Sequence, residues 1–414
     1  RVMDVEKLKC VVELGNTKII CVVAQMMDDS SIKILSTAKT ESKGIHNGVI
    51  VNLQEATKAI RSCLSNAETE ANVTLKKINI VLEIPEFICT RLSKYRKVNG
   101  SKIQKDDISF LLKEAKKEVN LNDNKKSIIH IFNHNYIVDK KKVDKEPIGI
   151  YADYLSHEMT FITIPKNIIK NLNQVFIDCD LEIERFISST FASAVNYLSD
   201  TDFQLGATLI DIGFEKTSLG VFKNYALIHS MTFPIGINHV TKDISRGCSL
   251  SLKESEDIRN QIGCFFWKAN VSLNEENNLP KKFFKESKFR KISKLLVSEI
   301  ITARIEEIME IIKKEIYTMG FNLISGQNIF ITGGGSNLPH LNKICATFFP
   351  TNIKILNSLQ KNHNSTQIKE NTFDPCNGAL KIIFNGWETE AIPSNVEKNN
   401  KNHGFFFKIL GNRP

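Results

Sequence analysis

Three short segments, far apart in the chain, gather residue types that bind phosphate. They are Val11-Val12-Glu13-Leu14-Gly15-Asn16-Thr17-Lys18-Ile19, Leu209-Ile210-Asp211-Ile212-Gly213-Phe214-Glu215-Lys216-Thr217 and Ile329-Phe330-Ile331-Thr332-Gly333-Gly334-Gly335-Ser336-Asn337. The first two are apolar β-type runs that turn and return, over residues 19–24 and 218–222, so each reads as a hairpin with a polar tip. Such tips bring backbone N–H groups, a hydroxyl and a Lys together, a donor set suited to phosphate. The candidate ligands are Gly15, Asn16, Thr17 and Lys18 in one tip, and Asp211, Gly213, Lys216 and Thr217 in the other. Glu13 and Asp211 sit at the strand ends. A carboxylate beside phosphate can orient a hydrated Mg²⁺, which favours carboxylate plus water. In the third segment, Gly333, Gly334, Gly335, Ser336 and Asn337 would let a flat group approach the backbone. Glu256 and Arg259 lie three apart, on one helix face, where they could meet ribose hydroxyls and a base. Each piece also has a plainer reading: a hairpin turn, a capping Asp, a flexible loop, a surface ion pair.

The elements that position these residues follow from periodicity. Residues 8–40 read as strand, polar turn, strand, turn, strand, and residues 207–233 repeat that plan. Two copies of a β-meander opening two α/β halves imply an internal duplication. After the first copy, residues 52–71 read as a helix and 78–82 as a strand closed by Pro85. Residues 83–162 break the pattern, with a charged helix at 105–120, a β-like stretch at 128–138 and a Lys-rich turn at 140–145. They read as an inserted subdomain. Asp200–Gly206 is the expected boundary between halves. Residues 297–317 form the clearest helix, with Ile301, Ile305, Ile308, Ile312 and Ile316 on one face. The division expected is 1–82 and 163–203 for the first domain around the insert, 204–245, 246–324 and 325–385 for the second, a linker at 386–402 and a terminal segment at 403–414.

A chain of 414 residues should split into two or more domains. Apolar content of 42% fits a globular protein, and no run approaches the roughly 20 apolar residues that span a bilayer. The start lacks a signal-peptide pattern, and Arg1 suggests a trimmed terminus. The nine Cys are scattered without a Cys-x-x-Cys pair, and are expected to be core residues in a reducing compartment. A formal charge of +9 gives modest weight to anionic partners.

Paired phosphate hairpins with one Gly-rich turn are the plan of the actin, heat-shock-chaperone and sugar-kinase superfamily. Within it the chain resembles the FtsA family of actin-like bacterial cell-division proteins. The resemblance rests on Val12–Ile19; Gly44-Ile45-His46-Asn47-Gly48-Val49-Ile50; Asp211-Ile212-Gly213; Pro234-Ile235-Gly236-Ile237-Asn238-His239-Val240-Thr241-Lys242-Asp243-Ile244; Glu299–Ile301 with Arg304–Ile308; and Ile331–Pro339. It implies an α/β, actin-like ATPase fold, with two related α/β domains around a nucleotide cleft, an inserted small subdomain and a C-terminal amphipathic tail. It also implies ATP with Mg²⁺, Gly236 joining the nucleotide ligands, self-association, and recruitment of FtsZ through its C-terminal tail alongside other divisome proteins. The place implied is the cytoplasmic face of the inner membrane, as a peripheral protein.

Two motifs depart from the family pattern. Glu13 stands where Asp is usual, and Phe214, Glu215 and Lys216 precede Thr217 where Gly-Gly-Thr is usual. Bulky residues disfavour positive φ and Glu215 repels phosphate, so at most slow ATP turnover is expected. In the tail, Phe405, Phe406, Phe407, Lys408, Ile409 and Leu410 would bury apolar area at an anionic membrane surface; docking on the protein's own surface, or a dimer contact, is the alternative. The basic stretch 281–294, with Lys285, Lys288 and Phe289, and Arg304 on the long helix, are candidates for holding an acidic-apolar FtsZ tail. No nucleic-acid partner is expected. The alternatives are an actin-fold phosphotransferase of the sugar-kinase kind, which needs a base for its acceptor hydroxyl, and an actin-like protein of type IV pilus assembly.

Overall fold

The computed structural model describes residues 7–15, 17–264, 277–285, 290–320, 328–350, 352–356 and 373–391. The chain divides into two compact units, the first holding residues 1–206, 220–232 and 372–414 and the second 207–219 and 233–371.

The first unit opens with the meander β1 (Leu8–Leu14), β2 (Lys18–Met26) and β3 (Ile32–Glu41). A small hairpin of β4 (Ile45–His46) and β5 (Val49–Ile50) leads into α1 (Leu53–Ala71). Asn52 caps α1, its side chain accepting the Glu55 N–H at 3.0 Å. Ala56, Ala59, Ile60, Cys63, Leu64 and Ala67 give α1 its buried stripe. β6 (Lys77–Leu82) then lies parallel to β1.

The insertion follows: β7 (Ile88–Lys102), α2 (Lys105–Asn122), β8 (Lys126–Val138), β9 (Lys141–Val143) and β10 (Tyr151–Pro165). β7 and β8 flank β10, both antiparallel to it. The sequence reading had no strand at 88–102. Its charges hide it: Lys94 and Arg96 meet Glu118 and Asp107 of α2 at 2.5 and 3.5 Å, so the covered face is as charged as the open one. After the insertion come α3 (Lys166–Ile177), β11 (Glu182–Ser188), α4 (Ser189–Tyr197) and α5 (Asp200–Leu205). The expected boundary 200–206 is thus a short helix, started by a Ser199/Asp202 capping box and ended by Gly206 at φ +103.

The second copy of the meander is β12 (Ala207–Ile212), β13 (Thr217–Lys223) and β14 (Ala226–Phe233). Residues 220–232 of this meander belong to the first unit; the second unit holds β12 and then α6 (Ile237–Cys248), α7 (Leu252–Ile262), α8 (Lys294–Thr318), β15 (Asn328–Thr332), α9 (Leu341–Phe348) and β16 (Ile353–Ile355). The two main sheets have one topology. The order β11-β6-β1-β2-β3 matches β16-β15-β12-β13-β14, with parallel pairing on the first two steps of each. The duplication read from the sequence is therefore a duplication of sheet order. α8 buries Ile301, Ile305, Ile308 and Ile312 as its periodicity predicts.

α10 (Asp374–Asn385) returns the chain to the first unit, and its Gly378 lies flush on the Ala192 carbonyl of α4. β17 (Glu390–Ala391) then pairs with β8, inside the stretch that the sequence reading took as linker. All nine Cys are free thiols and seven are buried, in keeping with core packing. No described helix is long and apolar enough to cross a membrane.

Candidate functional site

The two hairpin tips close in the same way. The Gly15 N–H donates to the Lys18 carbonyl at 3.1 Å, and the Gly213 N–H to the Lys216 carbonyl at 2.9 Å. A Cβ on either glycine would stand 2.9 Å from that oxygen. Glycine is thus required by close approach, since neither residue has positive φ. In the first tip Thr17 and Lys18 are exposed, while Asn16 lies outside the described residues. Glu13, at the end of β1, is half-buried and accepts from the Cys376 thiol at 3.8 Å. Burial first, and the Glu13 charge second, push the Cys376 thiol well up.

The second tip is fastened to α6. The N–H groups of Ile237 and Asn238 donate to the carbonyls of Gly213 and Phe214 at 2.9 and 2.8 Å. The Asn238 side chain donates to the Glu215 carboxylate at 2.8 Å. A Cβ on Gly236 would meet Phe214 O at 2.5 Å, Gly213 O at 2.6 Å and Lys216 N at 2.7 Å. Gly236 therefore forms the floor of the turn. Phe214, Glu215 and Lys216 take no positive φ, so the bulky residues fit without backbone strain. Thr217 is buried and its hydroxyl donates to the Ile235 carbonyl at 2.7 Å. That hydroxyl is committed to the protein itself.

β12 and β15 run parallel with Asp211 opposite Thr332, which brings the Asp211 carboxylate to the Gly-rich turn. Gly333 has φ +87, and the Asp211 carboxylate and Ile212 carbonyl fill the space a side chain would need. Gly335 packs on Ile212, whereas Gly334 faces open space with nothing within 4 Å of a Cβ. Gly334–Asn337 form one 3₁₀ turn, which the Ser336 hydroxyl closes on Gly333 O at 2.6 Å. Asn337-Leu338-Pro339 does not itself start a helix. Instead α9 starts at Leu341, because Pro339 holds Leu338 extended at ψ 123.

α7 ends against this turn. The Cys264 N–H donates to Pro339 O at 2.8 Å, and Gly263 at φ +61 leaves no room for a side chain beside Pro339. Arg259 is buried, its guanidinium donating to the Thr241 hydroxyl of α6 at 2.6 Å and lying 3.8 Å from Glu256. Burial lowers its pKa and Glu256 opposes the shift. Arg259 thus braces α7 on α6, and Glu256 keeps an outward face.

Of the other sequence candidates, Arg304 forms a bidentate pair with Asp243 at 2.7 and 2.9 Å and a third bond to Glu307 at 2.8 Å. Lys285 is exposed. Lys288, Phe289 and Phe405, Phe406, Phe407, Lys408, Ile409 and Leu410 lie outside the described residues. Among the described residues no group of three His, Cys, Asp or Glu could hold a metal. Sequence reading missed a buried cluster in the first unit built on Glu83, His130, Arg185 and Glu390, whose members come from segments with no common motif.

Residues 208–372 match the family model described as cell division protein FtsA, and residues 87–163 the model described as the SHS2 domain inserted in FtsA. The chain is 27% identical over 401 residues to the cell division protein FtsA of Buchnera aphidicola subsp. Schizaphis graminum, covering 91% of this chain and 94% of that one. It is 26% identical over 355 residues to the FtsA of Agrobacterium fabrum, covering 83% and 80%. Among solved structures, a PilM-PilN type IV pilus biogenesis complex aligns with a TM-score of 0.61 at 13% identity, over 90% of this chain and 98% of that one. That likeness is one of fold. The architecture is the actin-like ATPase fold, two related α/β halves with an SHS2 domain inserted in the first. Within that class, the chain belongs to the FtsA family of cell division proteins.

Proposed function

We propose that this chain is an ATP-binding, self-associating adaptor at the cytoplasmic face of the cell membrane that tethers FtsZ filaments during division. The observation that carries the nucleotide part is the repeated Gly-x-x-Lys turn together with an open glycine, Gly334, next to a strand-end carboxylate, Asp211.

The residues present fit such a ligand. Thr17 and Lys18 offer a hydroxyl and a cation to phosphate oxygens, the Gly334 surface accepts a flat group, and Glu256 faces outward for ribose hydroxyls. Mg²⁺ would supply charge neutralisation at the phosphates; Asp211 of the second unit and Glu13 of the first are each a carboxylate of the kind that holds it through water. The protein's own part is binding and orientation. Hydrolysis is expected to be slow at best, because Thr217 is spent on Ile235 and Glu215 on Asn238. The family match supports a part in cell division; FtsZ recruitment, other divisome contacts and the membrane tail belong to the proposal.

The test is vesicle flotation with anionic liposomes and ATP, comparing the full chain with one ending at Asn402. Binding lost on truncation supports the tethered adaptor. Absence of binding by both chains overturns the tether.

A further inference from the structure

A buried polar network lies away from both glycine turns, where the insertion meets the rest of the first unit. His130 of β8 is fully buried. Its Nε2 accepts the Ser188 N–H at 2.9 Å, so the ring proton is on Nδ1, which donates to Glu390 at 2.9 Å. Glu390 also pairs with Arg185 of β11. The Ser188 hydroxyl donates to Glu83 at 2.8 Å, and Glu83 accepts the Thr190 N–H at 3.1 Å and the Thr232 hydroxyl at 3.0 Å. Five stretches of chain thus share one network.

Glu390 comes from the short segment after α10, and that segment is held at every step. Trp387 Nε1 and the Thr389 hydroxyl both donate to the Tyr225 carbonyl, at 2.6 and 2.7 Å. The Trp387 ring packs edge-on to Phe203 and Phe191, with centroids 4.9 and 5.9 Å away. The Asn133 N–H of β8 donates to Thr389 O at 2.7 Å. Glu390 and Ala391 then pair antiparallel with Phe132 and Ile131. Ala391 is fully buried among Leu112, Ala115, Met159 and Phe161 of the insertion. A two-residue strand cannot hold itself on a sheet edge; the ion pair, the indole and the shared carbonyl fix its register.

We propose that Trp387–Ala391 is a strap that clamps the inserted subdomain to the rest of the first unit and fixes the point from which residues 392–414 leave it. The physical case has two parts. The strap covers the middle of the β8 edge, which would otherwise present unpaired backbone groups. It also supplies the carboxylate for Arg185 and the Nδ1 partner for His130, so its removal leaves a half-buried cation and a buried donor uncompensated. Any pull on the following residues is applied to β8 and Arg185 together, at the seam of the insertion. This holds whatever the terminal residues bind. At its other end the strap continues α10, whose Cys376 touches Glu13 beside the first glycine turn.

The test is hydrogen–deuterium exchange on the full chain, a chain ending at Ala391 and one ending at Asn385. The first two should protect the amides of residues 129–133 and of Ser188 equally. The third should exchange them on the order of ten-fold faster, with β12 and β15 unchanged. Equal protection in all three overturns the strap. Should the shortest chain fail to fold, the full chain carrying Trp387→Ala and Thr389→Val reads the same amides. Faster exchange there supports the clamp and unchanged exchange overturns it.

Discussion

Replacing Gly236 by Ala tests how the second glycine turn is supported. The added methyl would sit 2.5 Å from Phe214 O, 2.6 Å from Gly213 O and 2.7 Å from Lys216 N. All three are backbone atoms, so no rotamer change relieves the overlap. The turn must lift by most of an ångström, which breaks or stretches the Ile237–Gly213 and Asn238–Phe214 bonds of 2.9 and 2.8 Å. Two weakened hydrogen bonds at about 1 kcal/mol each, plus overpacking of about 1–3 kcal/mol, give a loss of about 3–5 kcal/mol. Thermal unfolding should show a midpoint lower by roughly 6–15 °C. A fluorescent ATP analogue should bind the variant more weakly. The control is Gly334→Ala, where nothing lies within 4 Å and φ is not positive. It should keep its stability while losing nucleotide affinity. A stable Gly236→Ala protein with unchanged nucleotide binding would refute the reasoning, and so would a Gly334→Ala protein that binds normally.

Other expectations follow from the same contacts. Lys18→Ala should cost roughly ten-fold in nucleotide affinity by titration, with little change in unfolding midpoint, since Lys18 is exposed. Arg304→Ala removes the bidentate pair with Asp243 and should cost about 1–2 kcal/mol in urea unfolding, before any effect on peptide binding is read. Acid should destabilise the first unit early. Burial lowers the pKa of His130, and brings His134 to about 4 and His157 to about 3, so between pH 6.5 and 4.5 the unfolded chain takes up protons that the folded one refuses. Stability is full above pH 6.5 and falls below it by about 1.4 kcal/mol per pH unit for each His. Glu390, held at about 2 chiefly by Arg185 against its own burial, adds a loss below the ordinary Glu range. Neither ring nitrogen of His157 has a partner, so His157→Phe should remove one His share of the slope without loss at pH 7; an unchanged slope in urea titrations at pH 7 and 5 would contradict this.

The residues that made the fold legible were those under local constraint. Gly15, Gly213 and Gly333 mark places where backbone meets backbone, and the Ile stripe of α8 repeats at helical spacing. What stayed hidden depended on partners distant in sequence. β7 carries charge on both faces because one face answers the acids of α2. The strand at Glu390 exists only because β8 lies beside it. Thr217 and Arg259 had the right types for ligands, but only the structure shows that their donors are turned to Ile235 and Thr241.

The duplicated turns are equal in backbone and unequal in what they leave over. Both close with the same Gly N–H to Lys C=O bond. In the first copy the threonine and lysine stay exposed. In the second, the helix that follows has drawn the turn onto itself, using its first two amides on the turn carbonyls and its Asn238 on Glu215. Those amides are the donors that a helix N-terminus would otherwise offer an anion. Glu215, which would repel phosphate if it lay free in the turn, is held by the same helix. The substitutions at Phe214, Glu215 and Lys216 therefore favour a rigid support over a catalytic loop. That bias accords with the proposed reading, in which a nucleotide serves as a structural ligand with little turnover.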